Sequence, residues 1–123
     1  NEIKSTTVDS ASEILTLIKN EEVVAIDEAQ FFKNNLVFVC TELANQHRRV
    51  IVAGLDMDFL GNPFGEMPQL LAIAEHITKV HAICSKCTGI ANHSFRLTKN
   101  KNLVQLGEKE EYQPLCRKCF NKK

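Results

Sequence analysis

Four of the five cysteines fall into two Cys-x-x-Cys pairs, Cys84/Cys87 and Cys116/Cys119, separated by residues 88–115. Two such pairs supply the four soft ligands of a tetrahedral Zn²⁺. A redox dithiol needs only one pair, and two pairs bracketing a short β segment match a zinc ribbon better. Four thiolates leave no coordination position open to a substrate, so the expected metal holds structure and does no chemistry. Cys40 stands apart and is read as a core residue.

A second constellation is made of carboxylates. The apolar run Val23-Val24-Ala25-Ile26 ends in Asp27 and Glu28, the form of a strand that delivers acids to its carboxyl end, where nucleotide-binding α/β proteins keep magnesium. Successive strand side chains point to opposite sides, so one carboxylate can orient hydrated Mg²⁺ while the other takes a proton from a nucleophile. The same pattern also fits two solvated loop carboxylates. Gln30, Phe31 and Phe32 follow directly; an amide and two aromatic rings there suit a planar base, although paired Phe residues also serve as ordinary core. Phe59 and Phe64, in the loop after the next strand, are expected at the same sheet edge. Glycine in that loop, Gly54 to Gly65, lets backbone approach a ligand, while Asp56 and Asp58 are read as turn or capping residues.

Positioning these groups requires an α/β framework. Ser10 and Glu13 have the spacing of a capping box, followed by a short helix carrying Ile14, Leu17 and Ile18. The run at Val23 reads as a strand buried on both faces of a parallel sheet. Leu36, Val39, Cys40, Leu43, Ala44 and His47 recur at helical spacing and predict a crossover helix. Val50-Ile51-Val52-Ala53 predicts a second strand, Leu70, Ile73, Ala74 and Ile77 another helix, and Val80 to Ile83 a third strand. Strand, helix, strand, helix, strand is the sequence form of successive βαβ units. From Cys84 onward the helical stripes stop. Phe95 and Leu97 alternate with polar residues, and Leu103 to Leu106 predicts the second strand of a hairpin turning at Lys99 to Asn102. His47 and His76 are placed on helices, His81 on a strand and His93 in the hairpin unit, all four as structural or surface residues. The expected domains are therefore 1–83, α/β, and 84–123, a small zinc-ribbon unit.

Composition narrows the partners. Among 123 residues, 15 basic side chains balance 15 acidic ones, with no long block of either sign, so neither nucleic acid nor a membrane surface is expected. No apolar run approaches the roughly 20 residues of a membrane span, and the first residues lack a signal-peptide core. A cytoplasmic protein is the expectation, and in a reducing compartment paired cysteines favour metal over disulfides.

Taken together, Ile26 to Phe32, Val50 to Asp56, Pro63-Phe64-Gly65 and the two cysteine pairs closely resemble the zinc-containing thymidine kinase family, from about Val23 to Phe120. The resemblance implies a P-loop kinase-like parallel sheet with flanking helices, here incomplete, plus a zinc-held β-hairpin with a lasso loop. It implies ATP-dependent phosphorylation of thymidine, with deoxyuridine possible, at the 5′-hydroxyl for nucleotide salvage and DNA synthesis. Glu28 takes the role of the base and Asp27 lies near magnesium. The implied nucleoside pocket uses Gln30, Phe31, Leu55, Phe59, Phe64, Ser94 and Tyr112, with lasso residues Leu103, Val104, Gln105 and Leu106 beside the base edge. Arg96 matches an arginine of the motif before the lasso. A homotetramer and feedback inhibition by thymidine triphosphate are also implied.

Two departures bear on that expectation. The family's Gly-x4-Gly-Lys-Ser/Thr phosphate loop does not occur in this sequence; the expectation is a piece of a longer protein, inactive by itself because ATP has no cradle. Leu60 stands where bacterial members often carry a basic residue, and Ser94 where a threonine commonly touches the thymine methyl, which leaves base preference open. A noncatalytic zinc-ribbon binding module and an ATPase in which Glu28 activates water are the alternatives. The aromatic residues argue against an ATPase, and the neutral charge against a nucleic-acid ribbon.

Overall fold

The structure, a computed structural model, describes residues 2–97 and 111–122. Two compact units are present, Asn1–Leu55 with Gly65–Ala74, and Asp56–Phe64 with Glu75–Lys123.

The first unit is a β-α-β crossover with two further helices. Strands β1 (Val23–Ile26) and β2 (Arg49–Val52) pair in parallel, Val24 opposite Val50 and Ile26 opposite Val52. The ladder continues past both strands, where Ala53 N–H donates to Ile26 O and Ala29 N–H to Ala53 O. Helix α1 (Ala11–Leu17) packs on the crossover helix α2 (Leu36–Asn45), and α3 (Met67–Ile73) begins with a proline in its first turn. That position suits proline because its missing N–H would have no helical partner there. Leu36, Val39, Cys40 and Leu43, all buried, form the predicted stripe of α2 and meet Val24, Ile26, Met67 and Leu70 in one core. Arg48 donates to the carbonyls of Lys19 and Glu21, tying the entry of β2 to that of β1.

Several sequence expectations change here. Ser10 is the N-cap of α1, but its side chain makes no cap hydrogen bond, and Glu13 accepts from Asp9 N–H. β1 is buried on one face only, with Val23 and Ala25 exposed, because among the described residues the apolar core covers only the face that carries Val24 and Ile26. α3 stops at Ile73, so Ala74, His76 and Ile77 lie beyond it; the β-branched Ile77-Thr78 pair is a poor helix former. Ala44 and His47 are exposed, and His47 has left the helix with φ +63°. The third parallel strand is absent from the described residues. Ala82–Ile83 (β3) instead pairs antiparallel with Ile90–Ala91 (β4), Ile83 opposite Ile90, and His81 lies just outside the strand. The tight turn through Cys84 to Gly89 brings β4 back beside β3, and this local pairing prevails over a distant one.

In the second unit, β5 (His93–Arg96) pairs antiparallel with β6 (Tyr112–Leu115), followed by the short helix α4 (Arg117–Asn121). The second hairpin strand predicted at Leu103 to Leu106 lies outside the described residues. Cys84, Ala91, Leu115 and Phe120 are the buried apolar residues, with Phe95, Cys116 and Cys119 packed against them. The Phe120 ring stacks on His93 at 4.5 Å. No described helix is long and apolar enough to cross a membrane.

Candidate functional site

At the carboxyl end of β1, Glu28 adopts the left-handed conformation, φ 52° and ψ 40°. A non-glycine residue in that region carries a conformational cost, typical of functional positions whose surroundings over-determine them. Three contacts hold it. Asp27 accepts the Glu28 N–H at 2.9 Å, the Phe31 N–H donates to Glu28 O at 3.1 Å, and Gln30 Nε2 donates to Glu28 Oε2 at 2.6 Å. Both carboxylates are exposed. The strand thus ends in two open acids beside a 3₁₀ turn, Ala29–Phe31. Phe31 and Leu55, expected at a nucleoside pocket, are 46% and 50% exposed in the same unit. Gln30, also expected at the pocket, is 2% exposed, with its Oε1 accepting the Leu55 N–H at 3.1 Å.

One contributor escaped the sequence reading. The N-cap of α2, Asn35, offers no side-chain bond, and its φ is +65°. Glu66 caps the helix from 30 positions away, accepting the Leu36 N–H at 2.9 Å and the Val37 N–H at 3.5 Å. A carboxylate at a helix N-terminus satisfies otherwise unpaired donors and meets the positive end of the helix dipole. No local motif marks such a distant cap. Burial pushes the Cys40 thiol up to about 11, with Glu66 adding to the effect, so Cys40 behaves as an inert core residue, as expected.

In the second unit, the sulfurs of Cys84, Cys87, Cys116 and Cys119 all lie within 4.8 Å of one another, with Cys87 and Cys116 Sγ at 3.6 Å. Tetrahedral Zn–S bonds of about 2.3 Å require sulfurs a little under 4 Å apart, so the four residues fit the ion. Each pair is shaped by backbone. Cys84 N–H donates to Gly89 O and Thr88 N–H to Cys84 O, with Thr88 at φ 63°. Cys116 is the N-cap of α4, its Sγ accepting the Cys119 N–H. Backbone hydrogen bonding at Cys116 pulls the Cys84 thiol down to about 6, and backbone hydrogen bonding at Cys119 lowers that of Cys116. Cys119 is pushed up to about 12, chiefly through its side-chain hydrogen bond with Cys116. Without a cation, like charges this close cannot all be present, and one thiol keeps its proton; a dication removes that restriction.

The same unit gathers part of the expected pocket. Arg96 is buried on β5, with its guanidinium 3.8 Å from the Phe59 ring centroid and 5.6 Å from that of Tyr112. Its Nη2 donates to Tyr112 Oη at 3.0 Å. Two aromatic faces and a hydroxyl compensate for the burial of the cation. Ser94 lies two residues away on β5 and shares a face with Arg96 by strand alternation. Phe59 comes from a loop locked by Asp58, whose Oδ1 accepts the N–H groups of Leu60 and Asn62. Phe64 N–H donates to Asp56 O, and Asp56 pairs with Lys79 at 2.9 Å. Asp58 is therefore the turn residue expected, whereas the Asp56 carboxylate makes an ion pair instead of a cap. Leu103, Val104, Gln105 and Leu106 lie outside the described residues.

Fold and site define a two-unit α/β protein with a paired-acid strand end and a four-cysteine centre able to hold zinc. The sequence matches the family model described as thymidine kinase over residues 1–120, and the chain belongs to that family. It is 58% identical over 118 residues to a thymidine kinase of Bacteroides thetaiotaomicron, covering 96% of this chain and 59% of the relative. It is 54% identical over 120 residues to that of a Rhodothermus species, covering 98% and 56%, and 53% identical over 122 residues to that of Porphyromonas gingivalis, covering 99% and 60%. The chain thus spans well under two thirds of the length of these relatives.

Proposed function

We propose that the protein to which this chain belongs transfers the γ-phosphoryl group of ATP to the 5′-hydroxyl of thymidine, with deoxyuridine a possible second substrate. The observation that carries the reading is Glu28, an exposed carboxylate held in a left-handed turn at the end of β1 in a chain of the thymidine kinase family. Glu28 is the base that removes the hydroxyl proton as the oxygen attacks, a role that requires a positioned carboxylate and not merely an acid nearby. Asp27 would hold magnesium, which supplies charge neutralisation on the phosphates. Phe31, Leu55, Phe59, Phe64, Ser94 and Tyr112 are the residues that the family resemblance assigns to the nucleoside, with Leu103 to Leu106 assigned to the base edge. Cys84, Cys87, Cys116 and Cys119 hold a structural zinc that keeps the lasso in place. On this reading residues 1–83 are a P-loop kinase-like nucleotide-binding domain and 84–123 a zinc-binding lasso domain. The enzyme is a cytoplasmic homotetramer inhibited by thymidine triphosphate.

Thymidine-dependent phosphoryl transfer by the protein expressed from its complete reading frame tests the proposal, with ATP hydrolysis in the absence of nucleoside measured beside it. Transfer to thymidine is the expected result. Hydrolysis alone would make the protein an ATPase, and neither activity in a zinc-loaded sample would make it a binding module.

A further inference from the structure

Gln30 carries more structural responsibility than a pocket wall requires. Both ends of its buried amide are engaged, Nε2 with the Glu28 carboxylate at 2.6 Å and Oε1 with the Leu55 N–H at 3.1 Å. Those partners permit a single amide orientation, because an ionised carboxylate can only accept and a backbone N–H can only donate. Two glycines make room for the residue. A Cβ at Gly54 would lie 2.8 Å from Gln30 Oε1, and one at Gly65, itself at φ +53°, would lie 2.6 Å from Gln30 O. The side chain therefore has a fixed place between the acid that ends β1 and the first turn after β2. Asp27 holds the backbone of Glu28, whereas Gln30 holds its carboxylate.

We propose that Gln30 is a positioning residue for Glu28. Its amide fixes the direction of the carboxylate and couples that direction to Leu55, so that the base and one wall of the nucleoside pocket are set together. Gln30 then acts through Glu28 and makes no contact with thymidine. The proposal rests on the reading of Glu28 as the base.

A double-mutant cycle in the complete protein tests it, with kcat and KM for thymidine measured at saturating ATP and folding followed by thermal melting. Gln30→Leu is expected to lower kcat about 10- to 100-fold with KM moved less than about threefold, the pattern of an interaction that matters in the transition state. In the Glu28→Gln background the same substitution should lower kcat less than about twofold, since residues acting as a unit are not additive. Equal losses in both backgrounds would assign Gln30 a general structural role, and a raised KM with intact kcat would make it a substrate contact; either overturns the proposal. Should Gln30→Leu not fold, Gln30→Met keeps the length of the side chain but removes the donor to Glu28. It is expected to show the same kcat loss, and wild-type kcat would contradict the proposal. Full turnover by Glu28→Gln would remove the base assignment and this proposal together, whereas turnover that needs Glu28 but ignores Gln30 would sink the proposal alone.

Discussion

Among the described residues, the first unit buries eleven apolar side chains in one core, from Ala11 to Leu70, while the second buries four, and one of those is the thiol of Cys84. A fully buried Leu or Val contributes on the order of 1.5–3 kcal/mol through removal from water. The core around Leu36, Val39 and Leu43 can therefore offset the entropy of ordering its chain, and four residues cannot. Where packing is short, four sulfurs lie where a metal would join β3, β4 and α4. The difference also separates tasks. On the proposed reading, packing fixes the strand end that presents Glu28, whereas the four cysteines would let a small unit carry the binding loop.

The largest effect should follow loss of the metal. Cys116→Ser, or chelation, is expected to abolish zinc binding and remove hydrogen-exchange protection from β5 and β6, because metal affinity in a small site is folding free energy, on the order of 10 kcal/mol or more. Amides of β1 and β2 should keep their protection. Thymidine binding should be lost with the second unit. Acid should act through the same thiols: Cys84, held down at about 6, is largely ionised at neutral pH. Zinc affinity should therefore fall more steeply once the pH passes below that value and this ligand also gains a proton. Full zinc occupancy in Cys116→Ser would contradict the ligand set.

Leu43→Ala removes a fully buried side chain from the other kind of core, and is expected to destabilise the protein by about 2–5 kcal/mol in denaturant titrations. Zinc content should be unchanged. A smaller loss, about 1 kcal/mol, is expected for Glu66→Ala, which deprives α2 of its distant cap; loss of zinc in that variant would show that the two units are not stabilised separately.

What could be read from residues alone follows the same divide. β1, β2 and α2 were legible because each is decided locally, by an apolar run or a 3.6-residue stripe facing one core. The cysteine cluster was legible because two tight pairs restrict the geometry before any folding is considered. The pairing of β3 with β4 was not, since an apolar run such as Val80 to Ile83 does not say whether its partner is a distant parallel strand or the other side of a metal-binding turn. Glu66 on α2 and Arg96 between Phe59 and Tyr112 were equally hidden as contacts. Each depends on where a side chain arrives in space, and neither leaves a local motif.

The claim on which the functional account turns is that Glu28 is the base. In the complete protein, Glu28→Gln should bind thymidine with near wild-type affinity while kcat for phosphoryl transfer falls by roughly 100-fold or more. Turnover undiminished by that substitution would contradict the account.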